Sequence, residues 1–92
     1  MRFEWELLKA EVNRRIHGVS FAEAVTAVED EFALSREEAA LVGEARFVTL
    51  GLSSLANLLV VVYTLREPGV IRVISAWKAN KRQREVYEEG RS

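Results

Sequence analysis

The sequence predicts an α+β fold with the element order β-α-α-β-β-β-α: two N-terminal helices, an antiparallel sheet and a C-terminal helix. Three observations predict it. Apolar residues recur at helical spacing up to about residue 30. Short apolar runs separated by turn residues fill 44–77, and a charged helical pattern closes the chain. Because the strands follow one another without crossover helices, we expect α+β topology and not a doubly wound sheet.

Length and composition limit the class of protein. Ninety-two residues predict a single domain spanning 1–92, and 49% hydrophobic with 29% charged residues is ordinary for a globular chain. There is no cysteine, which excludes disulfides and thiolate chemistry. The run Leu58–Tyr63 is too short to span a bilayer, and the start lacks a secretory signal pattern, so we expect a cytoplasmic protein.

Charge is distributed unevenly although the net charge is only −1. Residues 1–43 hold five Lys/Arg against nine Asp/Glu, whereas residues 44–92 hold eight against five. Between Arg72 and Arg84 there are five cationic side chains and no carboxylate. The pattern fits a polyanion on one surface and a basic partner on another, or a solvated surface of uneven charge.

The N-terminal elements follow from spacing and capping. The alternation over Met1–Trp5 predicts a strand, and the segment Glu6–His17, followed by Gly18, predicts a helix. Ser20 and Glu23 form a capping box that opens a second helix ending near Asp30. Two lines of residues run along the first helix on adjacent faces: Trp5, Leu8, Val12 and Ile16, and Lys9, Asn13 and His17.

The remaining chain is predicted as three strands and a helix. Ser35–Glu38, with Gly43 as a terminator, fits either a short capped helix or an irregular connection. Strands are predicted at Glu44–Leu52, Asn57–Leu65 and Val70–Trp77, joined by Ser53–Ala56 and by the turn Glu67–Gly69, and a basic helix from Ala76 to about Gly90.

The polar residues favour phosphodiester chemistry without a metal. One histidine, no cysteine and scattered glycines give neither a metal-ligand spacing nor a phosphate loop. RNA provides its own nucleophile, the 2′-hydroxyl, so an enzyme needs a base, an acid and a cation for the phosphoryl charge. The side chains available for these tasks are Lys9, His17, Glu44, Arg46, Arg72 and Lys78.

Each candidate also has a structural interpretation. His17 can cap the helix it ends. Arg72 in an apolar strand needs an anionic partner, which could be Glu44 or a ligand. Trp77 can pack in the fold or stack on a base. The cations of the last helix form either a solvated face or an RNA-binding face: Lys78, Lys81, Arg82 and Arg84.

The sequence resembles the BrnT toxins along nearly its whole length. The combination of His17-Gly18-Val19-Ser20-Phe21 with Arg72-Val73-Ile74-Ser75-Ala76 is specific, although either segment alone is weak. Further matching positions include Phe3-Glu4-Trp5, Lys9-Ala10, Asn13, Glu23-Ala24, Gly43-Glu44, Arg46, Gly51, Lys78-Ala79 and Tyr87-Glu88.

The resemblance implies a fold related to RelE and a metal-independent ribonuclease, without a cofactor, that arrests growth. It also implies a ribbon-helix-helix antitoxin, BrnA, and operator DNA bound only through the toxin–antitoxin complex. The family's polar pattern falls on Lys9, His17, Glu44, Arg46, Arg72 and Lys78, with Trp77, Lys81, Arg82 and Arg84 as further candidates for RNA contact.

Three positions depart from the family pattern, and each exchange removes a charge. Ile16 and Gln83 stand where lysine and glutamate are usual, and Trp77 replaces an arginine.

Three hypotheses follow. The first is an active or attenuated ribonuclease in which Arg72 and Lys78 hold the scissile phosphate and His17 or Glu44 transfers protons. The others are a catalytically silent co-repressor that binds the antitoxin and a plain RNA-binding module. Trp77 and a free strand edge could also support a homodimer.

Overall fold

The computed structural model describes residues 1–38 and 45–91. Gly43 and Glu44, which the sequence places in a helix terminator and a strand, lie outside the described residues. The elements in chain order are β1 (Arg2–Glu4), α1 (Leu7–His17), α2 (Phe21–Val28), β2 (Leu34–Glu38), β3 (Arg46–Leu52), β4 (Leu58–Glu67), β5 (Val70–Lys78) and α3 (Lys81–Arg91).

The strands form one mixed sheet in the order β1-β5-β4-β3-β2. β1 runs parallel to β5, and every other neighbouring pair is antiparallel. The predicted α+β class, the two N-terminal helices and the β3-β4-β5 meander are confirmed. No helix in the described ranges is long and apolar enough to cross a membrane.

The prediction that Ser35–Glu38 forms a short helix or an irregular connection is wrong, because this segment belongs to strand β2. The segment pairs with β3 along its whole length. The Ser35 hydroxyl does not cap a helix but shares a hydrogen bond of 2.7 Å with the hydroxyl of Thr49 on β3. Arg36 and Glu38, two residues apart on one face, form an ion pair of 3.1 Å. Cross-strand pairing therefore overrides the local capping signal.

Of the two hydrogen bonds expected in the capping box at α2, one is present and the other is not. The Ser20 side chain accepts a hydrogen bond of 3.0 Å from the backbone N–H of Glu23. The Glu23 carboxylate does not return to Ser20; it accepts bonds of 2.7 Å from the Ser53 hydroxyl and 2.8 Å from the Asn57 amide. Glu23 therefore anchors the loop between β3 and β4 to α2.

The core lies between the sheet and the pair α1/α2. Phe21 and Val19 from the helical side pack against Leu59, Val61 and Val73 of the central strands. Trp5 contacts Phe21 edge-on, with ring centroids 6.1 Å apart. Residues of β4 and β5 that alternate with these side chains consequently face the other side of the sheet.

Helix α1 packs through a different face from the one that its apolar spacing suggests. Leu8, Val12 and Ile16 are 67%, 44% and 69% exposed, whereas Asn13 is 5% exposed. The Asn13 amide donates to the carbonyl of Ala76 at 2.9 Å and accepts from its N–H at 3.1 Å. β1 pairs with only the first three residues of β5, so the edge of β5 at Ala76 has no neighbouring strand. Asn13 supplies the hydrogen bonds that such a strand would make to the Ala76 backbone.

The end of β5 also lies later than the sequence predicts. Pairing with β4 continues to Lys78, opposite Leu59, and α3 starts at Lys81 and not at Ala76. Asn80 caps α3: its side-chain oxygen accepts from the Gln83 N–H at 2.8 Å, and the Gln83 oxygen accepts from the Asn80 N–H at 2.9 Å. Trp77 therefore belongs to the strand.

Candidate RNA-binding surfaces

A row of polar side chains crosses the sheet at one end. Arg72 on β5 is directly opposite Thr64 on β4, and Thr64 is directly opposite Arg46 on β3. Directly opposed residues point to the same face, and adjacent strands lie about 4.8 Å apart, so the two arginine Cα atoms are about 10 Å apart. We call Arg46, Thr64 and Arg72 the arginine row.

The arginine row faces away from α1 and α2. Its neighbours along the strands, Tyr63, Ile71 and Val73, point into the core with α2. The row therefore lies on the face that α3 partly covers. The Thr64 residue is 7% exposed, and the Arg72 side chain is 30% exposed.

The arginine row keeps unused hydrogen-bond donors, although one carboxylate lies near it. Arg72 Nη2 lies 3.8 Å from Glu6 Oε2, which is longer than a hydrogen bond. Arg46 takes part in no ion pair among the described residues. Both guanidinium groups therefore keep N–H donors available for an anion. The partner that the structure gives Arg72 is Glu6; the alternative partner, Glu44, lies outside the described residues.

A second polar group lies along α1. Lys9 and His17 line a groove of about 380 Å³ together with Ile74 and Ser75 of β5. The His17 ring, at the last residue of α1, lies 5.9 Å from the Trp77 ring, with the planes tilted by 43°. Capping of α1 by His17 and contact with RNA are both compatible with this position.

Lys78 does not join Arg72. It pairs with Leu59, whose side chain lies in the core on the α1/α2 side. An irregularity between Val73 and Ser75 shifts the register, so Arg72 and Lys78 point to opposite faces. Six residues of strand also separate them by about 20 Å. One phosphate cannot be held by this pair.

The three candidate cations of α3 are all exposed: Lys81, Arg82 and Arg84. Arg82 also lines the rim of a cavity between α3 and the sheet. Gln83, which departs from the family pattern, is the capping partner of Asn80. Glutamate serves the same capping role, so the exchange preserves the helix start.

Sequence reasoning missed three residues that organise these surfaces. Thr64 is a hydroxyl in the central strand, Glu6 places a carboxylate 3.8 Å from Arg72, and Asn13 hydrogen-bonds the edge of β5. In the sequence, Asn13 stood out as part of a polar line with Lys9 and His17 and as a position that matches the BrnT pattern. Its burial could not be read from spacing, because the apolar line beside it looked more suitable for the core.

Comparison with known proteins identifies the family and the fold of this chain. A family model described as the ribonuclease toxin BrnT of type II toxin–antitoxin systems matches residues 5–83. The chain belongs to this BrnT toxin family, and such a system implies an antitoxin partner.

A solved structure shows the same fold. The 1.1 Å crystal structure of the Brucella abortus ribonuclease toxin BrnT matches with a TM-score of 0.65 and 18% sequence identity. The match covers 88% of this chain and 99% of the Brucella chain. No curated protein matches the sequence.

Proposed function

We propose that this chain is a metal-independent endoribonuclease that cleaves RNA at a phosphate bound by the arginine row. The observation that carries the proposal is the register of Arg46, Thr64 and Arg72 on one face. Two guanidinium groups on strands separated by one strand can donate to the same phosphoryl group. Their charge would stabilise the negative charge that develops in the transition state.

In this mechanism the RNA 2′-hydroxyl attacks the adjacent phosphorus, the bond to the 5′-oxygen breaks, and a 2′,3′-cyclic phosphate forms. Arg46 and Arg72 hold the non-bridging oxygens, and the Thr64 hydroxyl between them offers a further donor. Glu44, two residues before Arg46 in the chain, is the proposed base that takes the proton from the 2′-hydroxyl, and the 5′-oxygen leaving group takes a proton from water.

His17 has a different proposed task. It contacts Trp77, five residues along β5 from Arg72, and so lies roughly 15 Å from the arginine row. A group at that distance does not transfer a proton at the same phosphate. His17 and Lys9 instead bind flanking RNA along the α1 groove, with Lys78, Lys81 and Arg84 contributing positive charge at longer range.

A chelator-resistant cleavage assay tests this function. Purified protein is incubated with single-stranded RNA in excess EDTA, and product ends are analysed for 2′,3′-cyclic phosphate. We expect cyclic phosphate ends that disappear in the Arg46→Ala, Arg72→Ala and Glu44→Gln variants. Intact RNA at high protein concentration would contradict the proposal.

The alternative function is a silent or attenuated toxin that acts as an antitoxin-binding co-repressor. The observation that favours it is the apolar surface around His17, where Ile16 is 69% exposed and Trp77 contacts the imidazole ring. Low-dose expression without antitoxin separates the two functions. An active ribonuclease arrests growth, whereas a co-repressor leaves growth unchanged.

The proposed antitoxin is a BrnA-like ribbon-helix-helix protein, with operator DNA bound through the complex. Exposed Leu8, Val12 and Ile16 on α1 offer it an apolar surface, and Lys9 beside them favours an acidic segment. Co-purification with the product of the neighbouring gene tests this surface. We expect Val12→Asp to abolish retention; retention equal to the unmodified chain would exclude it.

Trp77 and a free strand edge, the two features expected to support a homodimer, are both engaged within the chain. Trp77 is partly buried against His17, and Asn13 occupies the edge of β5 at Ala76. Self-association would therefore use the apolar surface of α1, in competition with the antitoxin. Sedimentation velocity of the unmodified chain and of Val12→Asp distinguishes a dimer from a monomer.

A further inference from the structure

A cavity of about 270 Å³ lies between α3 and the face of the sheet that carries the arginine row. Its floor is apolar and consists of Val48 on β3 and Leu50 and Val60 beyond it. Gln83 and Val86 of α3 form the opposite wall. We call this space the α3 cavity.

The α3 cavity begins at Val48, which lies next to Arg46 of the arginine row on the same face of the sheet. Val48 follows Arg46 by two residues, so both point to the same face and lie about 7 Å apart. Val48 is also directly opposite Val62, which precedes Thr64 by two residues. The apolar floor is therefore continuous with the proposed phosphate site, within the reach of one nucleotide.

Two of the polar groups that line the α3 cavity offer hydrogen-bond donors to a ligand. Arg82 carries a guanidinium group, which donates and never accepts, whereas the Arg36 guanidinium is already paired with Glu38 at 3.1 Å. The Gln83 side-chain oxygen is held in the helix cap by the Asn80 N–H, which leaves its amide NH₂ able to donate to a ligand. The Ser35 hydroxyl bonds to Thr49, whose own hydroxyl meets Tyr63 of the core, so it points to the opposite face of the sheet.

A donor-lined apolar cavity selects among the bases. Uracil has two carbonyl acceptors and a single N–H, and it has no exocyclic amino group. Adenine, cytosine and guanine each bring an amino group whose donors would face other donors or the apolar floor. Each donor left without an acceptor costs free energy; uracil brings one N–H, whereas an amino group brings two, so the other three bases are disfavoured relative to uracil.

From this chemistry, and resting on the proposed function for the position of the phosphate, we propose that the α3 cavity is a uracil-binding subsite. The base would stack its face on Val48 and Val60, while Gln83 and Arg82 donate to its carbonyl oxygens. The proposal gives the cleavage site a preference for uridine next to the phosphate on the arginine row.

Binding of uncleavable RNA tests the subsite separately from catalysis. The probes are 2′-O-methyl octamers of U, C, A and G, whose blocked 2′-oxygens cannot attack, measured by fluorescence anisotropy. We expect the U octamer to bind about tenfold more tightly than the C octamer, as expected for one or two hydrogen bonds.

Two variants probe the cavity from different sides. Gln83→Glu combined with Glu89→Gln keeps the net charge and the capping acceptor but removes the amide donors. We expect the ratio of U to C affinity to fall to about one. Val86→Phe fills the cavity and should remove the preference while the melting temperature stays the same or rises, as is general for cavity-filling substitutions. Glu89→Gln alone is the control and should keep the full preference.

The outcomes separate this subsite from the ribonuclease activity. Three results would overturn the subsite: equal affinity for the four octamers, no binding of any of them, or a uridine preference that survives both variants. The cavity would then be a packing gap. Cyclic-phosphate cleavage without uridine preference leaves the proposed activity standing and removes the subsite. Uridine-selective binding without cleavage supports the subsite and contradicts the ribonuclease function.

Discussion

The side-chain amide of Asn13 hydrogen-bonds to both backbone groups of Ala76, 63 residues away in the chain. The same amide donates to the carbonyl of Val19 at 3.0 Å, just beyond the end of α1. One side chain thus takes the place of a missing strand neighbour and also closes the turn after its own helix.

Replacement of Asn13 by leucine should therefore destabilise the protein strongly. It would leave the buried N–H and carbonyl of Ala76 without partners, at a cost of about 2–4 kcal/mol in the free energy of unfolding. Urea denaturation followed by circular dichroism measures this. The control is Asn80→Ala at the exposed α3 cap, which should cost about 1 kcal/mol. Equal effects of the two changes would contradict the role given to Asn13.

If the arginine row binds the scissile phosphate, loss of an arginine in the row should slow RNA cleavage far more than loss of an arginine outside it. Arg46→Ala and Arg72→Ala should each lower the rate by about 100-fold or more, because a donor to the developing charge is lost. Arg66→Ala is the matched control: Arg66 lies on the same strand as Thr64 but pairs only loosely with Glu4, at 4.0 Å. Its removal should change the rate less than about threefold. Equal loss in all three variants would argue for general electrostatic attraction.

Trp77→Arg restores a cation beside His17 and should strengthen RNA binding. The attenuation hypothesis predicts a higher cleavage rate and growth arrest at lower expression. Loss of the ring contact should cost about 0.5–1.5 kcal/mol of stability. Trp77→Phe, which keeps an aromatic ring without adding charge, serves as the control. No change in cleavage or RNA affinity for the arginine variant would remove the attenuation hypothesis.

Two glycines should respond in opposite ways to alanine. A Cβ at Gly51 would collide with the backbone carbonyl of Ala27, so Gly51→Ala must push α2 away from β3. We expect a loss of about 2–3 kcal/mol, typical of overpacking. Gly90 in α3 has room, since its Cβ would meet only the Leu34 side chain at 3.5 Å. Gly90→Ala should stabilise by about 0.5–1 kcal/mol through helix propensity. Thermal unfolding of both variants checks the signs.

The sequence by itself determined the fold class, the main helices and the meander, because these follow from local patterns. The first six residues of β4 are apolar, Ser20 sits where a helix must begin, and Gly18 adopts the left-handed conformation, with φ of 70°, that ends α1. Period, caps and turns are encoded within a few residues of the positions that they affect.

Only the tertiary structure decided which faces and which distant residues meet. Spacing on α1 cannot reveal that Asn13 turns inward, since the reason is an uncovered strand edge at Ala76. Likewise, Arg72 and Lys78 look like neighbours in sequence, yet a register shift places them on opposite faces. Strand pairing joins Arg72 with Arg46, because a sheet brings together residues by register and not by proximity along the chain.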